Sequence, residues 1–166
     1  MDTALIIIDV QNDYFPGGAF PLWNAEAVLD ATVAAIERAR ARGERVVLVR
    51  HESASADAGF FRPGSPGARI HPRILAAAPD APVVVKQFAD SFHQTSLGAL
   101  LAEDGVAGLR IAGMMTQNCV AFTAVSPGAA PYAVSVLSDC TTTVDATIHA
   151  FALHALSTRV DVVPDA

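Results

Sequence analysis

The chain has 166 residues, of which 52% are hydrophobic and 17% are charged, and its formal net charge is −6. This composition excludes an intrinsically disordered chain, and the negative charge offers no basic surface for nucleic acid or an anionic membrane. Two cysteines are too few for a disulfide framework. The length predicts one domain, residues 1–166, that is long enough to bury a core.

The first residues, MDTALIIIDVQ, indicate a strand and not a signal peptide, because they contain no basic segment and no small-residue cleavage site. Every apolar run is interrupted by Pro, Gly or a charged residue before it is long enough to span a bilayer. We therefore expect a cytoplasmic protein that binds neither membranes nor nucleic acid.

Short apolar runs rich in Val and Ile recur along the chain and are typical of strands buried on both faces of a parallel sheet. Helical patterns lie between most of them, and in the clearest one Asn24 is a plausible N-cap and Gly43 a plausible C-terminal stop. This alternation predicts an α/β fold with helices on both faces of the sheet. The predicted strands are 4–10, 45–50, 82–87, 108–113, 132–138 and 159–164, and the predicted helices are 24–43, 96–105, 119–125 and 145–156.

Two segments, 11–23 and 51–73, are rich in Gly, Pro and aromatic residues and follow predicted strands. Ligands of open α/β sheets bind beyond the carboxyl ends of the strands, so these loops are expected to form pocket walls. Candidate residues for contact with a substrate are Phe15, Phe61, Phe92 and Gln117. Aromatic side chains near loops also commonly seal a core, and that interpretation stays open.

Three reactive side chains fall at the same edge of the predicted sheet. Asp9 ends the first strand, Lys86 ends the third, and Cys119 opens the helix after the fourth. A helix start and a nearby lysine favour the thiolate form of a cysteine, and a carboxylate can accept the thiol proton. The backbone N–H groups of Met115 and Cys119 are candidates for an oxyanion hole. Together these features predict a nucleophilic cysteine hydrolase.

Each of these residues also has a structural explanation when taken alone. A cysteine near a helix start is commonly a packing residue, a carboxylate at a strand end often caps a loop, and a lysine can mark the exit of a strand to solvent. From the residues alone, the catalytic and the structural interpretations remain about equally supported.

Three segments resemble the signatures of the isochorismatase-like cysteine hydrolases: IIIDVQNDYF (6–15), VVVKQFADSFHQTSL (83–97) and GMMTQNCVAFTA (113–124). This superfamily includes nicotinamidases, relatives of N-carbamoylsarcosine amidohydrolase, and isochorismatases. The resemblance implies a catalytic triad of Asp9, Lys86 and Cys119 and a cis peptide between Met114 and Met115. It also implies a three-layer fold with a six-stranded parallel sheet in the order 3-2-1-4-5-6, and a homo-oligomer of two or more subunits.

The sequence departs from its relatives where a metal would bind. Nicotinamidases usually carry an Asp-x-His pair after the second strand, but here Val49-Arg50-His51 stands there, with His71 beyond. Zinc sites generally need three or four protein ligands, so we expect neither a metal nor another cofactor. His51 is then a polar wall or loop anchor. Cys140 is expected to be structural, and His149 and His154 to lie on the surface or at a subunit contact.

The leading functional prediction is a metal-independent hydrolase that cleaves a C–N bond of a small amide through a thioester. One alternative is a vinyl-ether hydrolase of the isochorismatase kind, whose dicarboxylate substrate would need basic residues such as Arg50, Arg62 or Arg69. The other is a non-catalytic member of the fold that binds a small molecule. A mean hydropathy of +0.37 also favours self-association.

Overall fold

The computed structural model describes residues 3–165. Its centre is a six-stranded, all-parallel sheet in the order β3-β2-β1-β4-β5-β6, which confirms the predicted order. The strands are β1 (Thr3–Ile8), β2 (Arg45–His51), β3 (Val83–Lys86), β4 (Gly108–Met114), β5 (Ala133–Thr142) and β6 (Asp161–Val163).

The sheet separates two hydrophobic clusters because successive side chains of a strand point to opposite faces. In β1, Leu5 and Ile7 pack with Leu29 on one face, whereas Ile6 and Ile8 belong to the cluster on the other. All of residues 4–8 are buried, as expected for a central strand of a parallel sheet. This central position fixes the end of β1, where Asp9 follows.

The edge strand β3 differs from the prediction of burial on both faces. Val84 is buried, but Val83 and Val85 are 45% and 42% exposed. An alternating pattern is what a strand shows when only one of its faces is covered.

The helices are α1 (Ala25–Ala41), α2 (Pro72–Ala77), α3 (Leu97–Glu103), α4 (Ala121–Ala124) and α5 (Ala146–Ser157). Gly43 adopts the left-handed conformation just beyond α1, as predicted. Asn24 stands before α1, but its side chain makes no capping hydrogen bond. The N-cap prediction is wrong because an N-cap needs extended backbone, and Asn24 has a φ of 56°.

Two helical features were not predicted. Residues Pro72–Ala77 form α2 at the end of the predicted loop, with the His71 side chain accepting from the Arg73 N–H at its start. The helix predicted from residue 119 begins earlier, as a π-helical turn over Thr116–Val120 that leads into α4. Within residues 3–165, no helix combines the length and the apolar character needed to cross a membrane.

Candidate active site

The carboxyl ends of β1, β3 and β4 place three reactive side chains at one edge of the sheet. Asp9 directly follows β1 in the left-handed conformation, with φ 53°, which is uncommon for a residue other than glycine and is typical of functional sites. Lys86 is the last residue of β3, and Cys119 lies in the π-helical turn after β4. The Met114–Met115 peptide bond between β4 and this turn is cis.

Close packing of β4 against β1 brings the thiol-bearing turn to Asp9. Gly113 has a φ of 123°, and a Cβ atom there would lie 1.9 Å from the carbonyl oxygen of Ile8. Only glycine fits this approach, because the added carbon would overlap the backbone of the neighbouring strand. The end of β4 and the end of β1 are therefore held in contact.

The side chains of Asp9, Lys86 and Cys119 form one buried cluster. The Oδ2 atom of Asp9 is 2.8 Å from Nζ of Lys86, and both side chains are fully buried. The Sγ atom of Cys119 lies within 4.8 Å of a carboxylate oxygen of Asp9, and this residue is 4% exposed. A buried charge is tolerated when it is paired, so Lys86 is the counter-ion that Asp9 needs.

The resting cysteine differs from the expectation of a stabilised thiolate. Burial, followed by the charge of Asp9, raises the pKa of the Cys119 thiol far above its usual range, and Lys86 offsets only part of this effect. The physical reason is that burial disfavours the thiolate, and the one nearby cation already pairs with Asp9. Cys119 is therefore a neutral thiol beside a carboxylate, and the predicted low pKa is wrong.

Lys86 is held as an ammonium group by its surroundings. Burial alone would lower the pKa of Lys86, but its interactions with Asp9, and also with Cys119, outweigh burial and raise the pKa above its ordinary value. Nζ also donates to the carbonyl oxygen of Phe88 at 3.0 Å and lies 3.2 Å from Nδ1 of His51. Together with the ion pair to Asp9, these contacts surround the ammonium group with groups that can accept a hydrogen bond or balance its charge.

His51 is part of this cluster and is more than a loop anchor. One of its ring nitrogens lies within 4.8 Å of both the Asp9 carboxylate and the Cys119 sulfur. Burial, followed by the charge of Lys86, lowers the pKa of His51, while Asp9 acts in the opposite direction. The imidazole is therefore neutral at pH 7.

The residues around Cys119 do not fit a metal site. Within residues 3–165, the group of three potential ligands that lie close enough to share an ion is Asp9, His51 and Cys119, and His71 is not part of it. The ammonium group of Lys86 already contacts two of the three. A divalent ion about 4 Å from this charge would be repelled by roughly 8 kcal/mol at an effective dielectric constant of about 20. No chemical step is assigned to a metal here.

Two side chains that the sequence analysis did not select hold the loops around the cluster. The amide of Gln11, which is fully buried, accepts from the backbone N–H of His51 at 2.8 Å and donates to its carbonyl oxygen at 2.9 Å. The Asp13 carboxylate accepts from the backbone N–H of Phe61 at 2.7 Å and of Ala19 at 3.1 Å. Polar residues next to a buried strand were the signal that could have identified both.

The predicted substrate-binding residues divide into two groups. Phe61 is buried with its ring 5.8 Å from that of His51, and Gln117 lies in the π-helical turn with a buried Oε1 atom that has no hydrogen-bond partner within residues 3–165. Both are next to the reactive cluster. Phe15 is buried too, but its ring packs on His71 at 4.6 Å.

The structure does not support Phe92 as a substrate-binding residue. Its ring stacks on Tyr132 at 6.2 Å, and Gly128 lies against it. Tyr132 immediately precedes β5, at the end of the sheet opposite to Cys119. Phe92 therefore seals the core, which was the other interpretation of a loop aromatic.

The remaining candidates have mainly structural surroundings. Cys140 is fully buried, and burial together with Asp139 raises its pKa to about 12. His154 is exposed, but His149 is half-buried, with Nδ1 2.9 Å from the hydroxyl of Thr116 in the π-helical turn. Of the three candidate arginines, Arg50 at the end of β2 pairs with Glu52, and Arg62 and Arg69 in the following loop are exposed.

Comparison with known proteins agrees with this architecture. The isochorismatase domain model matches residues 3–166. The isochorismatase family protein YddQ of Bacillus subtilis strain 168 is 36% identical over 144 residues, which is 86% of this chain and 79% of that protein. Streptothricin hydrolase of Streptomyces noursei is 35% identical over 176 residues, 98% of this chain and 62% of that enzyme.

A crystal structure described as an isochorismatase hydrolase from Oleispira antarctica has the same fold. It superposes with a TM-score of 0.90 at 35% identity and covers 99% of this chain and 94% of that one. With the domain match and the buried cluster at the carboxyl edge of the sheet, this identifies the chain as a hydrolase of the isochorismatase family.

Proposed function

We propose that this protein is a cysteine-dependent amidohydrolase that cleaves a C–N bond of a small amide through a thioester. The observation that carries the proposal is the buried cluster in which Lys86 pairs with Asp9 at 2.8 Å and the Cys119 sulfur lies within 4.8 Å of the carboxylate. The nucleophile, a base for its proton and a fixed cation are then all within reach of one substrate carbon.

Thioester formation starts from the neutral thiol. As Sγ of Cys119 attacks the amide carbon, Asp9 takes the thiol proton, and the carbonyl oxygen becomes an oxyanion facing the backbone N–H groups of Met115 and Cys119. When this intermediate collapses, the C–N bond breaks. The proton on Asp9 passes to the nitrogen, which leaves as ammonia or an amine. Because the thiol pKa is raised, attack and proton transfer occur together, without a long-lived thiolate.

In the hydrolysis of the thioester, water is the nucleophile and Cys119 is the leaving group. Asp9 removes a proton from a water molecule while the water oxygen attacks the thioester carbon, and collapse of the second intermediate breaks the C–S bond. Asp9 returns the proton to Cys119, and the carboxylic acid leaves. Lys86 stays protonated throughout, because its pKa is raised by Asp9 and Cys119.

The site is suited to a small substrate with no net negative charge. Cys119 is 4% exposed, and Phe61 and Tyr14 pack beside the cluster with their rings 4.6 Å apart. Arg62 and Arg69 are exposed, and Arg50 is paired with Glu52, so a dicarboxylate substrate of the isochorismatase kind finds less support.

A panel of small primary amides, with ammonia release as the readout, tests the proposal. We expect turnover of at least one amide by the wild-type protein and none by Cys119→Ala. Cys140→Ala is the matched control, because Cys140 is the other buried free cysteine, and it should remain active. Turnover of isochorismate that survives Cys119→Ala would instead favour the vinyl-ether reaction.

A further inference from the structure

The contacts of Lys86 assign a specific role to the neighbouring histidine. An ammonium group has three donors and no acceptor, so any nitrogen that it contacts must offer a lone pair. Nδ1 of His51 lies 3.2 Å from Nζ of Lys86, and it is therefore the acceptor. The imidazole proton must then reside on Nε2.

We propose that His51 is a positioning residue: its Nδ1 lone pair accepts one N–H of Lys86 and holds the ammonium group between Asp9 and Cys119. Nζ also donates to the carbonyl oxygen of Phe88 at 3.0 Å and forms an ion pair with Asp9, whose Oδ2 atom is 2.8 Å away. The ion pair and the two hydrogen-bond contacts, at 2.8 to 3.2 Å, together fix the position of Nζ. Without the histidine, the ammonium group is free to move toward the carboxylate and away from the sulfur.

The protein fixes His51 from its backbone as well as its ring. Both the N–H and the carbonyl oxygen of His51 bond to the buried amide of Gln11, which also donates to the carbonyl oxygen of Ala68 at 2.7 Å. The ring of Phe61 lies 5.8 Å from the imidazole. The histidine, the last residue of β2, is thus anchored to the segment after β1 and to the loop that follows β2, while its side chain reaches Lys86 on β3.

This role differs from that of a metal-binding histidine and adds to the expected one of a polar wall or loop anchor. A histidine that served a metal would present a lone pair to the ion, but here the lone pair of Nδ1 faces an ammonium group. The proposal rests on the proposed function for its catalytic meaning. The geometric claim concerns only Lys86 and the Cys119 thiol, so it can be tested without a substrate.

Alkylation of Cys119 by iodoacetamide, measured against pH, tests the role of His51. In His51→Leu the acceptor is lost. We expect the profile to move to higher pH and the rate at neutral pH to fall by roughly tenfold, the size of one lost hydrogen bond to a charged group. His51→Asn carries an oxygen near the place of Nδ1 and should restore most of the rate, whereas His51→Gln carries it near Nε2 and should not.

His71→Leu is the matched control, because His71 is also half-buried and its Nδ1 also accepts a hydrogen bond, from the backbone of Arg73. It should leave the alkylation profile unchanged. An unaltered profile in His51→Leu, or rescue by Gln and not by Asn, would overturn the proposal. Nitrogen NMR of the wild-type protein gives a second measurement that needs no folded Leu variant: a proton on Nδ1 of His51 at neutral pH also overturns it.

The two proposals fail separately. If Cys119→Ala retains amide hydrolysis, the cysteine mechanism is wrong, but the alkylation profiles of the His51 variants still decide the positioning role. If Cys119→Ala is inactive and the His51 variants alkylate like the wild type, the mechanism stands and the positioning role is wrong.

Discussion

At the scale of single residues, Asp9 is the group whose chemistry is easiest to isolate. Asp9→Asn keeps the shape of the side chain but cannot accept the thiol proton. We expect turnover of the amide substrate to fall by at least about 100-fold, the usual loss when a general base is removed. Steady-state kinetics with ammonia detection measure this, and near-normal turnover by the folded variant would contradict the assignment of Asp9 as base.

Lys86 contributes charge, and its removal should affect the thiol directly. The charge of Lys86 lowers the pKa of Cys119 against the effects of burial and Asp9. Lys86→Met should therefore raise that pKa further and move iodoacetamide alkylation to higher pH. An alkylation profile equal to that of the wild type would show that the ammonium group does not act on the sulfur.

The two cysteines should differ in reactivity although both have a raised pKa. Cys119 has Lys86 beside it and is 4% exposed, whereas Cys140 is fully buried next to Asp139. We expect mass spectrometry after brief iodoacetamide treatment to find the label mainly on Cys119. Labelling that favours Cys140 would contradict this order.

At the scale of elements, the loop after β2 depends on one close contact with the loop after β1. A Cβ atom on Gly67 would lie 2.0 Å from the Asp13 carboxylate, which holds the backbone of Phe61. Gly67→Ala should lower the free energy of unfolding by about 2 kcal/mol, as overpacking of a tight site does. Urea unfolding measures this loss.

Gly59 provides the control for that measurement. It lies in the same loop, and a Cβ atom there would have no heavy atom within 4 Å. Gly59→Ala should leave the free energy of unfolding nearly unchanged. If both variants have the same free energy of unfolding, the close contact between Gly67 and Asp13 does not contribute to the stability of the protein.

The elements themselves were largely predictable, but their connections were not. The runs of Val and Ile located six strands, because burial on both faces leaves a local signal in sequence. The hydrogen bonds of the Gln11 side chain, and the one between the Asp13 side chain and Phe61, join residues that are 40 to 57 positions apart in the chain, and no local sequence pattern predicts such bonds. The helix α2 has six residues, too few for a clear helical period.

The proximity of Asp9, Lys86 and Cys119 was predictable from the sequence, but the electrostatics of the cluster were not. The positions of Asp9, Lys86 and Cys119 at strand ends were enough to bring them to one edge. The protonation state of Cys119 depends on its burial and on its distance from both charges, and those quantities exist only in three dimensions. The contact between His51 and Lys86 depends in the same way on the register of β2 with β3.

At the scale of the whole molecule, three half-buried histidines should make stability depend on pH. Burial lowers the pKa of His51, His71 and His149 below 6.5. Below that pH the unfolded chain binds more protons than the folded one, so the free energy of unfolding decreases as pH falls from about 6.5 toward the folded pKa values. Urea unfolding at about pH 7.5 and pH 5.5 measures this change.

Single substitutions show how much each histidine contributes to the dependence of stability on pH. Replacing His149 by Gln removes one group with a lowered pKa and should reduce the slope of stability against pH, whereas the exposed His154 is a control whose replacement should not. Stability that is constant, or that rises as pH falls in this range, would contradict the sign.

Self-association is the other prediction at this scale. The helix α5 contains no Asp, Glu, Lys or Arg, only Leu156 among its residues is buried, and Phe151 is 72% exposed. An apolar face of this kind is typical of a surface that a second copy covers. We expect light scattering to give at least a dimer, and Phe151→Glu to shift it toward the monomer.

Leu75→Glu is the control, because it also places a charge on an exposed apolar residue but on a different helix. Leu75 lies on α2 and is 43% exposed. It should leave the mass of the assembly unchanged. A monomeric wild-type protein at micromolar concentration would contradict the prediction.

The pairing of one buried carboxylate with one buried ammonium group beside a neutral thiol makes the resting cluster electroneutral. In the proposed cycle one proton moves from sulfur to Asp9 and leaves on the nitrogen, and a second proton, which Asp9 takes from water, returns to sulfur. The proton lost with the leaving nitrogen is replaced by one from the attacking water, so the cluster ends each turnover in the protonation state in which it began. If that cycle operates, the cluster needs no proton donor or acceptor other than its substrate and the attacking water.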